Sequence, residues 1–177
     1  VEYVAGIVGY AEAFRGSDVH VEGTLIISAS GTVTYVGGMF GEIKYSRLTD
    51  SSARMIINAD IEYGRIVGGV AGKAENVEFE DITAQGIISG KSSVGGFAGE
   101  TRDGTSLMRV SVSGSVSGHE RVGGIGGDIE DSRVTLSTAV GTAGGSKEVG
   151  GVAGVADRVM LSSVLATTSV TADEERA

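Results

Sequence analysis

Short runs of alternating apolar and polar residues recur along the whole chain, among them Val77-Glu-Phe-Glu-Asp-Ile82, Leu107 to Val112, Val134-Thr-Leu136 and Val159-Met-Leu161. A period of two is that of a half-buried β-strand, and the β-branched Val, Ile and Thr that dominate these segments favour the same state. Glycine interrupts every window in which a helix would need an unbroken apolar stripe. Polar turns such as Lys73-Ala-Glu-Asn76 and Glu100-Thr-Arg-Asp-Gly104 separate the runs. The pattern predicts strands and bends throughout and no helix.

A hexapeptide in six copies sets the phase of these runs: Val4-Ala-Gly-Ile-Val-Gly9, Val36-Gly-Gly-Met-Phe-Gly41, Val67-Gly-Gly-Val-Ala-Gly72, Val94-Gly-Gly-Phe-Ala-Gly99, Val122-Gly-Gly-Ile-Gly-Gly127 and Val149-Gly-Gly-Val-Ala-Gly154. The copies start at 4, 36, 67, 94, 122 and 149 and are spaced by 32, 31, 27, 28 and 27 residues. That period suits one supersecondary unit and is too short for a domain. Three short strands and three bends in such a unit make one coil of a parallel β-solenoid. The expectation is an all-β, β-helix-like domain over residues 1–177, of about six coils stacked about 4.8 Å apart. The two longer repeats predict loop insertions at Ala13 to Asp18 and at Arg47 to Ala53, and the segment 172–177 reads as a charged tail or linker.

Stacked coils turn sequence positions into columns. Val4, Val36, Val67, Val94, Val122 and Val149 form an inward valine ladder. Three positions on stand Ile7, Met39, Val70, Phe97, Ile125 and Val152, which a regular strand would point to the opposite side. A bend or bulge at the Gly-Gly pair brings both ladders into the core, since glycine tolerates such a position best. Without the bend the second ladder faces outward and becomes an apolar interaction stripe that a partner must cover.

Composition narrows the function classes. With 23 acidic and 14 basic residues the formal charge is −9, which repels nucleic-acid backbones and anionic lipid, so neither is an expected partner. No run of 18 apolar residues predicts membrane insertion. There is no cysteine for a disulfide or a thiolate metal site. The two histidines, His20 and His119, are outside any His-Glu-x-x-His motif, and His20 falls on the outward phase of a strand. Gly114-Ser-Val-Ser-Gly118 has valine where a nucleophile elbow needs serine, and no phosphate loop with Gly-Lys-Ser/Thr occurs.

Carboxylates are the remaining candidates for chemistry. After the hexapeptide the column reads Tyr10, Glu42, Lys73, Glu100, Asp128, Val155, so Glu100 and Asp128 fall on adjacent coils, with Asp103 and Asp131 three positions further along. These four acids could bind calcium through hard oxygen ligands or serve as the acid pair of a β-helical carbohydrate-active enzyme. The neighbouring column, Glu12, Lys44, Glu75, Arg102, Glu130, Asp157, alternates in sign and predicts cross-coil ion pairs in a solvated turn. The turn reading is favoured, with no catalytic residue and no cofactor in this chain.

The recurring Val-Gly-Gly-apolar-small-Gly, its polar turn, the short strand and the Gly-x-Val-Ser-Gly-like segment resemble the GLUG-motif repeats of large bacterial surface and secreted proteins. Those include the non-catalytic amino-terminal region of immunoglobulin A-specific metalloendopeptidases and filamentous adhesins. The likeness covers residues 4 to about 171, with Ala5 and Gly126 as departures from the pattern. It implies a non-catalytic extracellular or cell-surface module, a rigid spacer or scaffold that contacts host protein, glycan or substrate along a face. Flanking domains of a longer parent chain, which would carry the targeting signal and any active site, and end-to-end contacts between solenoid ends are the partners that follow.

Overall fold

The computed structural model describes residues 2–27, 33–59 and 64–172. Among them every residue in regular structure is in a strand, and every strand pair is parallel. The chain is a β-solenoid of six coils. Of the expected tail at 172–177, Ala172 ends the last strand, Leu165–Ala172, and 173–177 lie outside the described residues.

Each coil has four strand segments where the sequence pattern suggested three. In the fourth coil they are Ser93–Gly95, Ala98–Arg102, Ser106–Met108 and Ser111–Ser117. The extra segment arises because the hexapeptide spans a corner: Val94 and Gly95 pair in a six-stranded sheet, while Ala98 onward pairs in a larger sheet. In the second and third coils the last three segments run on as single long strands, Phe40–Asn58 and Ala71–Ser89.

The corner at the Gly-Gly pair decides the second ladder. Met39, Val70, Phe97 and Ile125 are all 0% exposed, as are Val36, Val67, Val94 and Val122 of the first. Both ladders therefore face the core, and no outward stripe runs along the four inner coils. Only at the ends does the column open, with Ile7 44% exposed and Val152 partly buried. Phe97 lies edge-on to Phe79, with centroids 5.0 Å apart, and Phe14 to Phe40 at 5.3 Å.

The other two corners of the coil each turn on one residue in the left-handed region. Ala13, Tyr45, Asn76, Asp103, Asp131 and Arg158 form one such column, and Asp18, Asp50, Asp81, Arg109, Leu136 and Ser163 the other, with φ between 45° and 60°. Half of these positions are Asp or Asn, the side chains that tolerate this conformation best. At several corners the next residue is a buried Ser or Thr whose hydroxyl completes the turn. Ser137 Oγ donates to Thr135 O at 2.9 Å and accepts from Val110 N at 3.1 Å, Ser46 and Ser51 do the same, and Thr105, one residue further on because Gly104 intervenes after Asp103, also does so.

The extra residues of the two longer repeats do not fall at the expected insertion sites, Ala13 to Asp18 and Arg47 to Ala53. Arg15 pairs with Arg47, His20 with Ser52, Arg47 with Glu78 and Ser52 with Thr83, in unbroken register through both proposed sites. The extra residues of the first two coils are instead between Ile27 and Val36 and between Ala59 and Val67, in the link back to the small sheet.

Candidate functional site

At the hexapeptide corner the outward faces of the first and second segments turn toward each other and form a crease along the solenoid. Its floor is glycine backbone. A Cβ on Gly95 would stand 1.9 Å from Ala98 O, one on Gly99 would be 2.7 Å from Val67 N, and one on Gly127 would be 2.4 Å from Val94 N. No side chain fits at such separations, which is the physical demand behind the glycines.

The walls carry the charged column singled out from sequence. Ser93 Oγ donates to Glu100 Oε1 at 3.5 Å, and Arg121 Nη1 reaches Asp128 Oδ2 at 2.8 Å across the crease. Arg102 adds a second guanidinium to Asp128 at 3.1 Å, lies 3.6 Å from Glu100 and bonds to Glu130. In the earlier coils Lys44 bridges Glu42 and Glu75 at 3.2 and 3.1 Å, and Lys73 bridges the same two at 3.6 and 3.1 Å. Lys73 Nζ also stands 5.9 Å from the centroid of the Tyr35 ring, which stacks on Tyr3.

Glu100 and Asp128 are register neighbours, as the column reading required. Asp131 is gripped at the next corner by Arg158, with Nε–Oδ1 2.6 Å and Nη2–Oδ2 2.8 Å, while Asp103 is exposed at its own corner. The four acids thus do not converge on one point, and those in the crease meet guanidinium groups. Among the described residues no group of three or more His, Cys, Asp or Glu side chains could hold a metal ion. His20 is exposed and lies between Ser52 Oγ and Asp18 Oδ1. His119 belongs to the link after the fourth segment.

Sequence reading missed Arg121 and Arg109. Arg121 stands just before its valine, in a column with Tyr3, Tyr35, Ile66, Ser93 and Glu148. Nothing in the spacing says that this column faces the acids until the angle of the corner is known. Arg109 occupies a left-handed corner and clamps Asp81, donating from Nε to Oδ1 at 2.7 Å and from Nη2 to Oδ2 at 2.8 Å.

These contacts shift protonation in a consistent sense. Burial pushes the Glu75 carboxyl up, but hydrogen bonds and charge from Lys44 and Lys73 outweigh it and leave the pKa below its ordinary value. Hydrogen bonds from Arg109 and Arg158 lower those of Asp81 and Asp131. Burial and then Glu42 push the Tyr3 phenol up to about 12. A carboxyl with a lowered folded pKa stabilises the fold above its unfolded value, and that contribution is lost as pH falls through the folded one. The raised Tyr3 stabilises below its unfolded value of 10.0, and the contribution is lost as pH climbs toward about 12. The melting temperature is therefore expected to fall on acidification below about pH 4.5 and on alkalinisation above about pH 10, with a plateau between. Glu75→Gln should flatten the acid limb. Scanning calorimetry across pH checks both limbs, and an unchanged acid limb in that variant would count against the role given to Glu75.

No family model, no curated protein and no solved structure matches this chain.

Proposed function

We propose that the chain is a non-catalytic structural module, a rigid spacer and scaffold within a larger bacterial surface or secreted protein, with flanking domains as its constant partners. One observation carries this reading: each coil is hydrogen-bonded to the next on all four sides, in one parallel register from the first coil to the sixth. Such a body transmits position with little bending and grows by a fixed step per coil. The ionic columns support it too, because their acids are matched to Lys and Arg of neighbouring coils and lock the register. The extracellular setting, the GLUG-like kinship and contact with host protein or glycan rest on the sequence resemblance and form the finer part of the proposal.

Removing Val122–Glu148 tests the module reading. The deletion takes out one whole coil and brings Arg102 beside Asp157 and Asp103 beside Arg158, so these two pairs at the new junction are matched, while Arg121 exchanges Asp128 for Val155. The shortened chain is expected to unfold in one cooperative step. Spin labels at Glu22 and Thr167, which share an outward column, should approach each other by about 4.8 Å. Loss of cooperative folding, or an unchanged distance, would sink the idea of interchangeable coils.

A further inference from the structure

We propose that a shallow hollow on the flank of the first three coils binds one acidic sugar, a ring that carries a carboxylate or a sulfate; this rests on the glycan contact proposed for the module. The hollow holds about 340 Å³ and is lined by Arg15, Tyr45, Ser46, Arg47, Asn76 and Glu78. That volume is at the small end of ligand sites and suits a single ring. Two departures from the rules that hold elsewhere on the rod meet here. The first is electrical: in the register of the described strands a cation has acids or uncharged residues for neighbours, except that Arg15 pairs with Arg47. Like charges opposed on adjoining strands work against the fold. Arg47 is steadied from its other side by Glu80, 2.8 Å from Nη2, and Glu78, 3.7 Å from Nε, whereas Arg15 has no ion pair among the described residues.

The second departure is steric. Tyr45 takes φ 48° and is the only aromatic side chain in the left-handed region among the described residues. It is 57% exposed and has no hydrogen-bond or ring partner among them, so no packing offsets the strained backbone. Strain kept where the fold gains nothing from it marks a contact site. The chemistry of the lining then selects the ligand. Two guanidinium groups on strands about 4.8 Å apart offer forked N–H donors to a carboxylate or sulfate. The Tyr45 ring gives the C–H face of a sugar an apolar surface to lie on. Asn76, at the same corner of the next coil, both donates to and accepts from ring hydroxyls, and Glu78 accepts from them. Ser46 is floor, because its hydroxyl already donates to Lys44 O and accepts from Phe14 N. A phosphopeptide would use the arginines but set its dianion against Glu78. The formal charge of −9 repels anions at large, so retention of an acidic sugar reads this hollow and not the chain as a whole.

Saturation-transfer NMR with probes built on one disaccharide is the test: sialyllactose, sulfated lactose and plain lactose, with a phosphotyrosine peptide alongside. The expected result is binding of one or both acidic probes, the one bound identifying the oxyanion, and none of lactose. Arg15→Gln should weaken that binding about 10-fold or more, the loss of one charge-assisted contact. Tyr45→Gly separates site from structure. It removes the ring and relieves the backbone, so the melting temperature should hold or rise while binding is lost. Silence from both acidic probes overturns the proposal, as does lactose bound equally well, or the peptide bound in place of the sugars. Binding that survives both variants, or a Tyr45→Gly protein that melts lower and still binds, does the same. The coil deletion leaves Arg15, Tyr45 and Asn76 in place, so a shortened rod that folds but binds no acidic sugar overturns this site alone. A deletion that fails to fold counts against the scaffold reading whatever the full chain binds.

Discussion

Replacing Gly95 by alanine is expected to destabilise the solenoid by at least about 3 kcal/mol, the range of severe overpacking and backbone strain, and to broaden or abolish cooperative urea unfolding. The new Cβ would lie 1.9 Å from Ala98 O and 2.7 Å from Ile125 O, both main-chain atoms of the corner and the adjoining coil. Backbone cannot step aside as a flexible side chain can, so the corner must open and two sheets lose their junction. Gly68 and Gly123 stand in the same place, with 2.0 and 2.1 Å to the matching carbonyls, and predict the same outcome. Gly23→Ala is the contrast, since nothing lies within 4 Å of its Cβ and its φ is ordinary. It should leave stability within about 1 kcal/mol of the parent or raise it slightly. If Gly95→Ala melted like Gly23→Ala, the glycines would not be steric requirements. The one natural alanine at this place, Ala5, sits in the terminal coil, where Ile7 and Gly6 are exposed and the corner is packed from one side only.

Phe97→Ala should cost about 3 to 5 kcal/mol, because the ring is wholly enclosed and its loss leaves a cavity that flanking coils held by sheet hydrogen bonds cannot collapse to fill. Much of that cavity would lie against the edge of Phe79. Ile7→Ala, in the same column at the open end, should cost less than about 1 kcal/mol, since the side chain is already 44% in water. The difference between these two variants, measured by urea unfolding, reads the gradient of burial along one column. Equal losses would mean that the N-terminal coil is covered in solution.

Columns are legible in the sequence, because a fixed spacing of identical residues admits little else than stacked coils. The valine ladder, the alternation of Glu12, Lys44, Glu75, Arg102 and Glu130, and the adjacency of Glu100 and Asp128 all followed from counting. Corners were harder. Asn76 and Asp103 announce turns, but Leu136 and Arg109 take the same left-handed conformation with no turn chemistry of their own. What permits it is neighbouring: the hydroxyl of Ser137 satisfies main-chain groups that the turn leaves over. The stretch Arg47 to Ala53 reads in the sequence as an inserted loop because its repeat is longer than the later ones. Ser46 and Ser51 instead spend their hydroxyls on the backbone and let a half-buried strand continue through two corners in register. The crease could not be read at all, because whether Arg121 meets Asp128 depends on an angle between sheets that no periodicity encodes.

Gly104 marks where this architecture has room. The third coil goes from Glu75 to Glu78 in three steps, and the fourth takes four between their partners Arg102 and Ser106, yet the strands on both sides remain aligned with the coils above and below. Nothing lies within 4 Å of a Cβ built at Gly104. The stack is strict about phase and indifferent to circumference, so new peptide threaded in at this point would project from the rod as a side branch while the shaft stays as it is.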